Sequence, residues 1–299
     1  MSGSRNRITA FARAMSTVLH SMGVGNFRPY GFFTPYRYAA GCEALGEDDR
    51  YEWLKDSLDS QVDELESFIN YIAGFNSRFA DFREANPQDQ NQPRFNQEWF
   101  PGLDAASAYS MVMRYRPRRI IEVGSGHSTR FLAQAIRDAE LETTLHSIDP
   151  EPRRHIDMLC TQMTRTTVTV VPVEVFMELG AGDILFIDGS HLAMPGTDVD
   201  YLFGQVLPKL APGVVIHIHD IFLPNGYPQV WAWRGYTEQA LLASALGGGR
   251  RYQILCANAY LRRYHPQIAA RVDVSVLPRA METGFWLQVQ ADSCISNPR

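Results

Sequence analysis

The residues of this chain that can do chemistry fall in four short stretches, each at the end of an apolar run. In R-R-I-I-E-V-G-S-G-H-S-T (118–129), Glu122 stands two residues before Gly124 and is followed by Ser125, Gly126, His127 and Ser128. Glycines at such spacing let the backbone turn sharply and let a ligand approach without a Cβ in the way. A carboxylate beside the turn suits a cationic ligand better than a pyrophosphate. In I-D-P-E (148–151), Asp149 and Pro150 follow the second apolar run. Asp149 stands where a carboxylate accepts hydrogen bonds from ribose hydroxyls, or where it caps a following helix. F-I-D-G-S-H (186–191) supplies Asp188 and His191, and I-H-I-H-D-I-F (216–222) supplies His219 and Asp220. Asp188, His219 and Asp220 make a reasonable donor set for magnesium, manganese or iron. Such an ion would hold substrate oxygens and lower the pKa of an attacking hydroxyl. Without metal, the same residues give His219 as general base, oriented by Asp220 or Asp188.

The elements that must position these residues alternate. Strands are expected at 119–123, 143–148, 167–172, 183–187 and 213–218, with helices at 128–139, 152–163, 175–179, 199–210 and 236–246. Such repetition means a parallel sheet covered on both faces. Two last strands are expected at 251–256 and 283–290, with a helical insert near 264–272. Ligands of a doubly wound sheet sit beyond the carboxyl ends of its strands, and all four polar stretches fall there. Strand alternation puts His217 on the face of His219, as a buried and satisfied histidine. Ahead of the sheet, apolar residues from Leu54 to Phe82 step by three and four, as one long helix or two. Asp104 is placed to cap a helix at 105–115. Pro87 through Gln97 reads as a loop, so residues 1–100 are expected to form an N-terminal helical and aromatic arm and 101–299 the ligand-binding domain. Residues 5–22 have amphipathic helical spacing in an acid-free, Arg-rich stretch. This reads as a helix packed on the protein or on a partner subunit, or as an organellar transit peptide. The aromatic segment 27–38 is either a clamp of that arm or a substrate lid.

Composition limits the rest. The net charge of −5 argues against a nucleic-acid backbone as partner. No run approaches the ~18 apolar residues of a membrane span. Cys42, Cys160, Cys256 and Cys294 are far apart, with no C-x-x-C spacing, and read as reduced thiols of a cytoplasmic protein.

The pattern E-x-G-x-G-x-S-T, with Thr129 where a dinucleotide fingerprint has its third glycine, resembles motif I of the class I S-adenosylmethionine-dependent methyltransferases. The likeness spans about residues 115–290 and implies a doubly wound, seven-stranded, mostly parallel Rossmann-like sheet whose last strand is antiparallel. It implies S-adenosyl-L-methionine as cofactor, held by Glu122, Gly124, Ser125, Gly126, His127, Ser128, Asp149, Pro150, Asp188 and His191. Val173 and Glu174 are expected near the adenine, and His127 near the methionine end. His191 is expected at the adenine, as a further metal ligand, or simply on the surface. Catechol-type O-methyltransferases bind a divalent ion with an Asp ending the fourth strand and an Asp-Asn pair ending the fifth. Here His219-Asp220 stand at that pair, a partial match. The implied activity is methyl transfer to a small molecule, most simply at a hydroxyl oxygen, with a homodimer through the N-terminal region as a further expectation. The alternatives are an NAD-dependent oxidoreductase, a catalytically silent cofactor-binding interaction protein, and a metal-dependent enzyme using the same cofactor for something other than methylation.

Overall fold

The computed structural model describes Met15, 36–38, 46–48, 50–83, 91–152 and 156–291. The expected helix at 5–22 and most of the aromatic segment 27–38 lie outside these residues. The chain divides into two compact units, 1–44 and 45–299.

The larger unit is built on a seven-stranded sheet: β1 Arg119–Val123, β2 Thr144–Ile148, β3 Gln162–Thr164, β4 Ile184–Ile187, β5 Val215–Ile218, β6 Tyr252–Ala257 and β7 Phe285–Val289. Their order is β3-β2-β1-β4-β5-β7-β6. Strands β1 to β5 pair in parallel, and β7 lies antiparallel between β5 and β6. β4 and β5 are buried at every position, as continuous Ile/Val/Leu runs require when helices cover both faces. The order reverses between β1 and β4, so the crevice for a ligand opens beyond Val123 and Ile187.

Between residues 50 and 83 lie three helices: α1 Glu52–Asp59, α2 Val62–Ala73 and α3 Asn76–Arg83. The expected periodicity survives, but the helix breaks twice, at Ser60–Gln61 and at Gly74–Phe75. Leu58, Leu65, Ile72, Phe79 and Phe82 bury in the same core as the sheet residues Ile120 and Phe186. The expected boundary near residue 100 is therefore not a boundary of the core, because the apolar faces of these helices have no separate core of their own. Phe95, in the expected linker, is fully buried against Phe79, Phe82 and Phe131.

Helix α4, Gly102–Tyr115, begins ahead of Asp104, which therefore does not cap it. Asp104 is fully buried and accepts hydrogen bonds from Gly284 N (2.7 Å), Thr283 N (2.9 Å) and Asn258 Nδ2 (2.7 Å). It ties α4 to the chain entering β7, which satisfies a carboxylate with no access to water.

Helix α5, His127–Asp138, follows β1 as expected. Between β2 and β4 the expectations fail. In place of a helix at 152–163, Asp157–Leu159 make one 3-10 turn, and pairing with β2 starts at Thr161 N→Leu145 O. In place of a strand at 167–172, Val168–Val170 also make a 3-10 turn. Val168 and Val171 are buried while Val170 is 67% exposed, so the apolar spacing in this β-branched run is three rather than two. Helix α6, Val173–Met177, follows. The expected helix 199–210 is α7 Asp198–Tyr201, then a wide turn over Leu202–Val206 and a tight one over Leu207–Lys209. Pro208, which has no N–H, prevents a regular helix from continuing there. Helix α8, Glu238–Gly247, follows β5, and α9 Asn258–Tyr264 and α10 Pro266–Ala269 form the insert before β7.

Candidate functional site

At the end of β1 the chain turns through Gly124, whose φ of +79° favours glycine. A Cβ there would lie 1.9 Å from the Asp188 carbonyl oxygen. Gly124 is therefore needed for the close approach of the β1 and β4 ends, and not only for a ligand. A Cβ on Gly126 would meet nothing within 4 Å, so the open space lies over this second glycine.

Glu122 is fully buried. It accepts hydrogen bonds from Ser128 Oγ (2.7 Å), Thr129 Oγ1 (2.8 Å) and Ser147 Oγ (2.6 Å). Burial pushes its carboxyl up to about 7, against the pull of those hydroxyls. Thr129 Oγ1 also accepts from Gly126 N (3.0 Å), so one hydroxyl links the carboxylate to the turn. Glu122 and Ser128, expected to touch the cofactor, instead brace the turn from inside. Ser125 donates from N (2.9 Å) and Oγ (2.7 Å) to Asp149 Oδ2, and Glu151 N donates to Oδ1 (2.8 Å). Asp149 thus holds the chain after β2, where the described residues show no helix for it to cap, and Oδ1 keeps capacity for a further donor. His127 is half-buried as the first residue of α5, and Pro150 is exposed. Val173 and Glu174 do not directly follow the third strand, which ends at Thr164. They open α6, with Glu174 exposed.

The ends of β4 and β5 bring Asp188, His191, His219 and Asp220 together. His191, far from lying on the surface, is buried, with φ +61°. Its Nδ1 lies 2.9 Å from Glu238 Oε2, and its Nε2 lies 3.4 Å from both Asp188 Oδ1 and Asp220 Oδ2. Carboxylates facing both nitrogens require an N–H on each, hence an imidazolium. Burial opposes that charge, but Asp188, Glu238 and Asp220 outweigh it and raise the His191 pKa well above its ordinary value. For Asp188, burial would raise the carboxyl, and the His219 and His191 imidazoles prevail and hold it at about 2. His219 Nε2 lies 3.7 Å from Asp220 Oδ1, its Nδ1 is buried without a partner, and its ring packs on Phe100. Its pKa is raised: burial is overcome by Asp188, Asp220 and Asp104. His217 is buried as expected but not satisfied, since neither ring nitrogen has a partner. It stacks on Phe186 at 4.0 Å, and burial with the nearby His219 charge lowers its pKa well below the ordinary value.

Residues 121–221, which run from inside β1 to just past Asp220, match the family model described as "Methyltransferase domain". Over these residues, about a third of the chain, the sequence is similar to a methyltransferase domain, in line with the resemblance that its motifs carry. Among solved structures, the chain is similar to the SAH-bound methyltransferase PaMTH1 of Podospora anserina, with 14% identity over 87% of this chain and 100% of that one and a TM-score of 0.41. It is also similar to the apo structure of CmcI-N160, with 15% identity over 71% and 84% and a TM-score of 0.39. A third similar structure is a putative methyltransferase from Thermobifida fusca YX, with 14% identity over 64% and 85% and a TM-score of 0.33. No curated protein matches. Among the described residues, no helix is long and apolar enough to cross a membrane.

The donor set at the ends of β4 and β5 does not fit the metal expected from the sequence. Among the described residues, no group of three or more His, Cys, Asp or Glu is placed to hold an ion. The cation between Asp188 and Asp220 is His191 itself. Two positioning residues were not anticipated. Glu238 opens α8, whose Thr237 and Glu238 amides donate to His191 O (2.9 and 3.2 Å). Asp198 accepts from Ser190 N (2.6 Å) and from Ser190 Oγ, pinning the D-G-S-H loop. Acids following Thr197 and Thr237 gave a helix-start signal, but nothing local in sequence shows what an acid meets in another loop.

Proposed function

We propose that this protein moves the methyl group of S-adenosylmethionine to a hydroxyl oxygen of a small molecule. The observation that carries this reading is the juxtaposition of an open glycine turn at Gly126 with the buried Asp188–His191–His219–Asp220 cluster at one sheet edge. The cofactor, when bound, supplies an electrophilic methyl on a sulfonium leaving group. The chain's own residues supply alignment, exclusion of water and removal of a proton. Asp149 Oδ1 receives ribose hydroxyls, and the space over Gly126 admits the cofactor's body. His219 takes the acceptor's proton, because its Nδ1 carries no competing bond and Asp220 stands beside its Nε2. A base must start neutral, so turnover rises as pH climbs through the raised His219 pKa. His191 stays cationic and offsets part of the negative charge of Asp188 and Asp220.

The test combines titration calorimetry with methyl transfer from labelled S-adenosylmethionine. His219→Ala is expected to lose about 10²–10⁴-fold in turnover and to keep its affinity for S-adenosylhomocysteine. Unchanged turnover would remove His219 from the chemistry. Magnesium, manganese or iron(II) added to chelator-treated protein is expected to change neither binding nor rate. A metal-dependent gain that Asp188→Ala abolishes would put an ion at the carboxylate pair instead.

A further inference from the structure

The loop that leaves β5 directly after Asp220 folds back over the cluster as a 3-10 helix, Gln229–Arg234, and carries buried polar atoms that nothing satisfies. Arg234 lies with its guanidinium 4.1 Å from the Trp231 ring centroid and 5.3 Å from that of Tyr236. Its Nη1 donates to Tyr236 Oη (2.9 Å) and lies 3.8 Å from Asp220 Oδ2. Its Nε is buried and donates to nothing. The Nε side of a guanidinium is one that a carboxylate engages through two parallel N–H bonds. The Tyr227 hydroxyl is likewise buried without a partner, with its ring 5.8 Å from that of Tyr236. Burial raises its pKa, and so do Glu238 and Asp220, which keeps it a donor. Buried donors left unmade carry a desolvation penalty, so two of them on one aromatic wall call for an occupant.

We infer that the Trp231–Arg234–Tyr236 wall with Tyr227 is the acceptor subsite, and that it takes a planar hydroxylated aromatic acid whose carboxylate meets Arg234 Nε and the Tyr227 hydroxyl. The rings and the guanidinium plane match a flat acceptor. Asp220 neutralises only part of the guanidinium charge, since its oxygen stands at 3.8 Å rather than at hydrogen-bond distance. The acid groups of Asp188 and Glu238 are held on His191. A carboxylate is thus admitted at Arg234 and repelled from the cluster, which sends the acceptor's hydroxyl end toward His219.

This inference rests on the methyl-transfer reading, so the first arm measures S-adenosylhomocysteine affinity alone, and its failure would count against that reading only. The second arm titrates the S-adenosylhomocysteine complex with 4-hydroxybenzoate, methyl 4-hydroxybenzoate and phenol. The acid is expected to bind at least about tenfold more tightly than its ester or phenol, from one charge-assisted pair of about 1.5–3 kcal/mol. Arg234→Gln is expected to erase that preference and leave S-adenosylhomocysteine affinity intact, while Arg234→Lys keeps part of it. Equal affinity for acid and ester, absence of binding by all three probes, or a preference that survives Arg234→Gln would overturn the inference.

Discussion

The two halves of the sheet edge are built on opposite plans. On the β1–β2 side the carboxylates and the threonine of the turn are closed on neighbours: Glu122 on three hydroxyls, Asp149 on Ser125 and the Glu151 amide, Thr129 on both Glu122 and the Gly126 amide. On the β4–β5 side polar groups are buried and left over: His219 Nδ1, Tyr227 Oη, Arg234 Nε and Glu238 Oε1. Asp220 and His191 there hold left-handed backbone, with φ of +56° and +61°. Such conformations cost about 1–3 kcal/mol each and persist where the surroundings impose them. The first half is a finished mould around the glycine turn. The second keeps unspent donors, which is where selectivity among acceptors belongs.

The strongest way to break the contrast is at the mould. Gly124→Val puts a branched side chain into the Asp188 carbonyl at positive φ, and is expected to cost more than about 4 kcal/mol. A denaturation midpoint near that of the wild-type protein would show that the β1 and β4 ends tolerate separation. On the other half, Glu238→Gln removes the carboxylate on His191 Nδ1, and breaking such a buried pair is expected to cost about 3–5 kcal/mol. Turnover should fall with it while S-adenosylhomocysteine affinity holds. Equal losses of both would mean that the two halves are not separable.

Thr129→Gly restores the spacing of a dinucleotide fingerprint and deletes two hydrogen bonds, for a loss of about 1–3 kcal/mol in urea unfolding. It is expected to weaken adenosyl-ligand binding without creating affinity for NAD. Tight NAD binding by this variant would show that the threonine alone separates the two cofactors.

The smallest effect is a slope. Glu122 has a folded-state pKa near 7, above its ordinary 4.5. The stability it lends is therefore complete below 4.5 and lost as pH rises through about 7. Glu122→Gln should flatten the fall in stability across that window in urea midpoints taken at successive pH values. A variant with the wild-type slope would mean that Glu122 is ionised throughout.

The same contrast separates what the sequence made legible from what it hid. The strands β1, β2, β4 and β5 could be read because residues such as Ile120, Val123, Ile184 and Val215 announce buried strands, and glycine marks the turn after β1. The β3 region misled because Val168, Val170 and Val171 have strand-like composition, whereas their burial follows contacts with the rest of the core. At the site, Asp149, Asp188, His219 and Asp220 were visible as strand-end residues. The inward role of Glu122 and the burial of His191 were not, since each depends on partners that lie in other loops. Ser147 and Glu238 reach these sites from 25 and 47 residues away along the chain.

The most direct test of the central claim is titration calorimetry of the chelator-treated protein with S-adenosylmethionine, S-adenosylhomocysteine and NAD. Binding of both adenosyl ligands, with none of NAD, is the result expected of a glycine turn braced by Glu122 and Thr129. Binding of NAD, with neither adenosyl ligand bound, would contradict it, and the cluster at His219 would then have to serve hydride transfer.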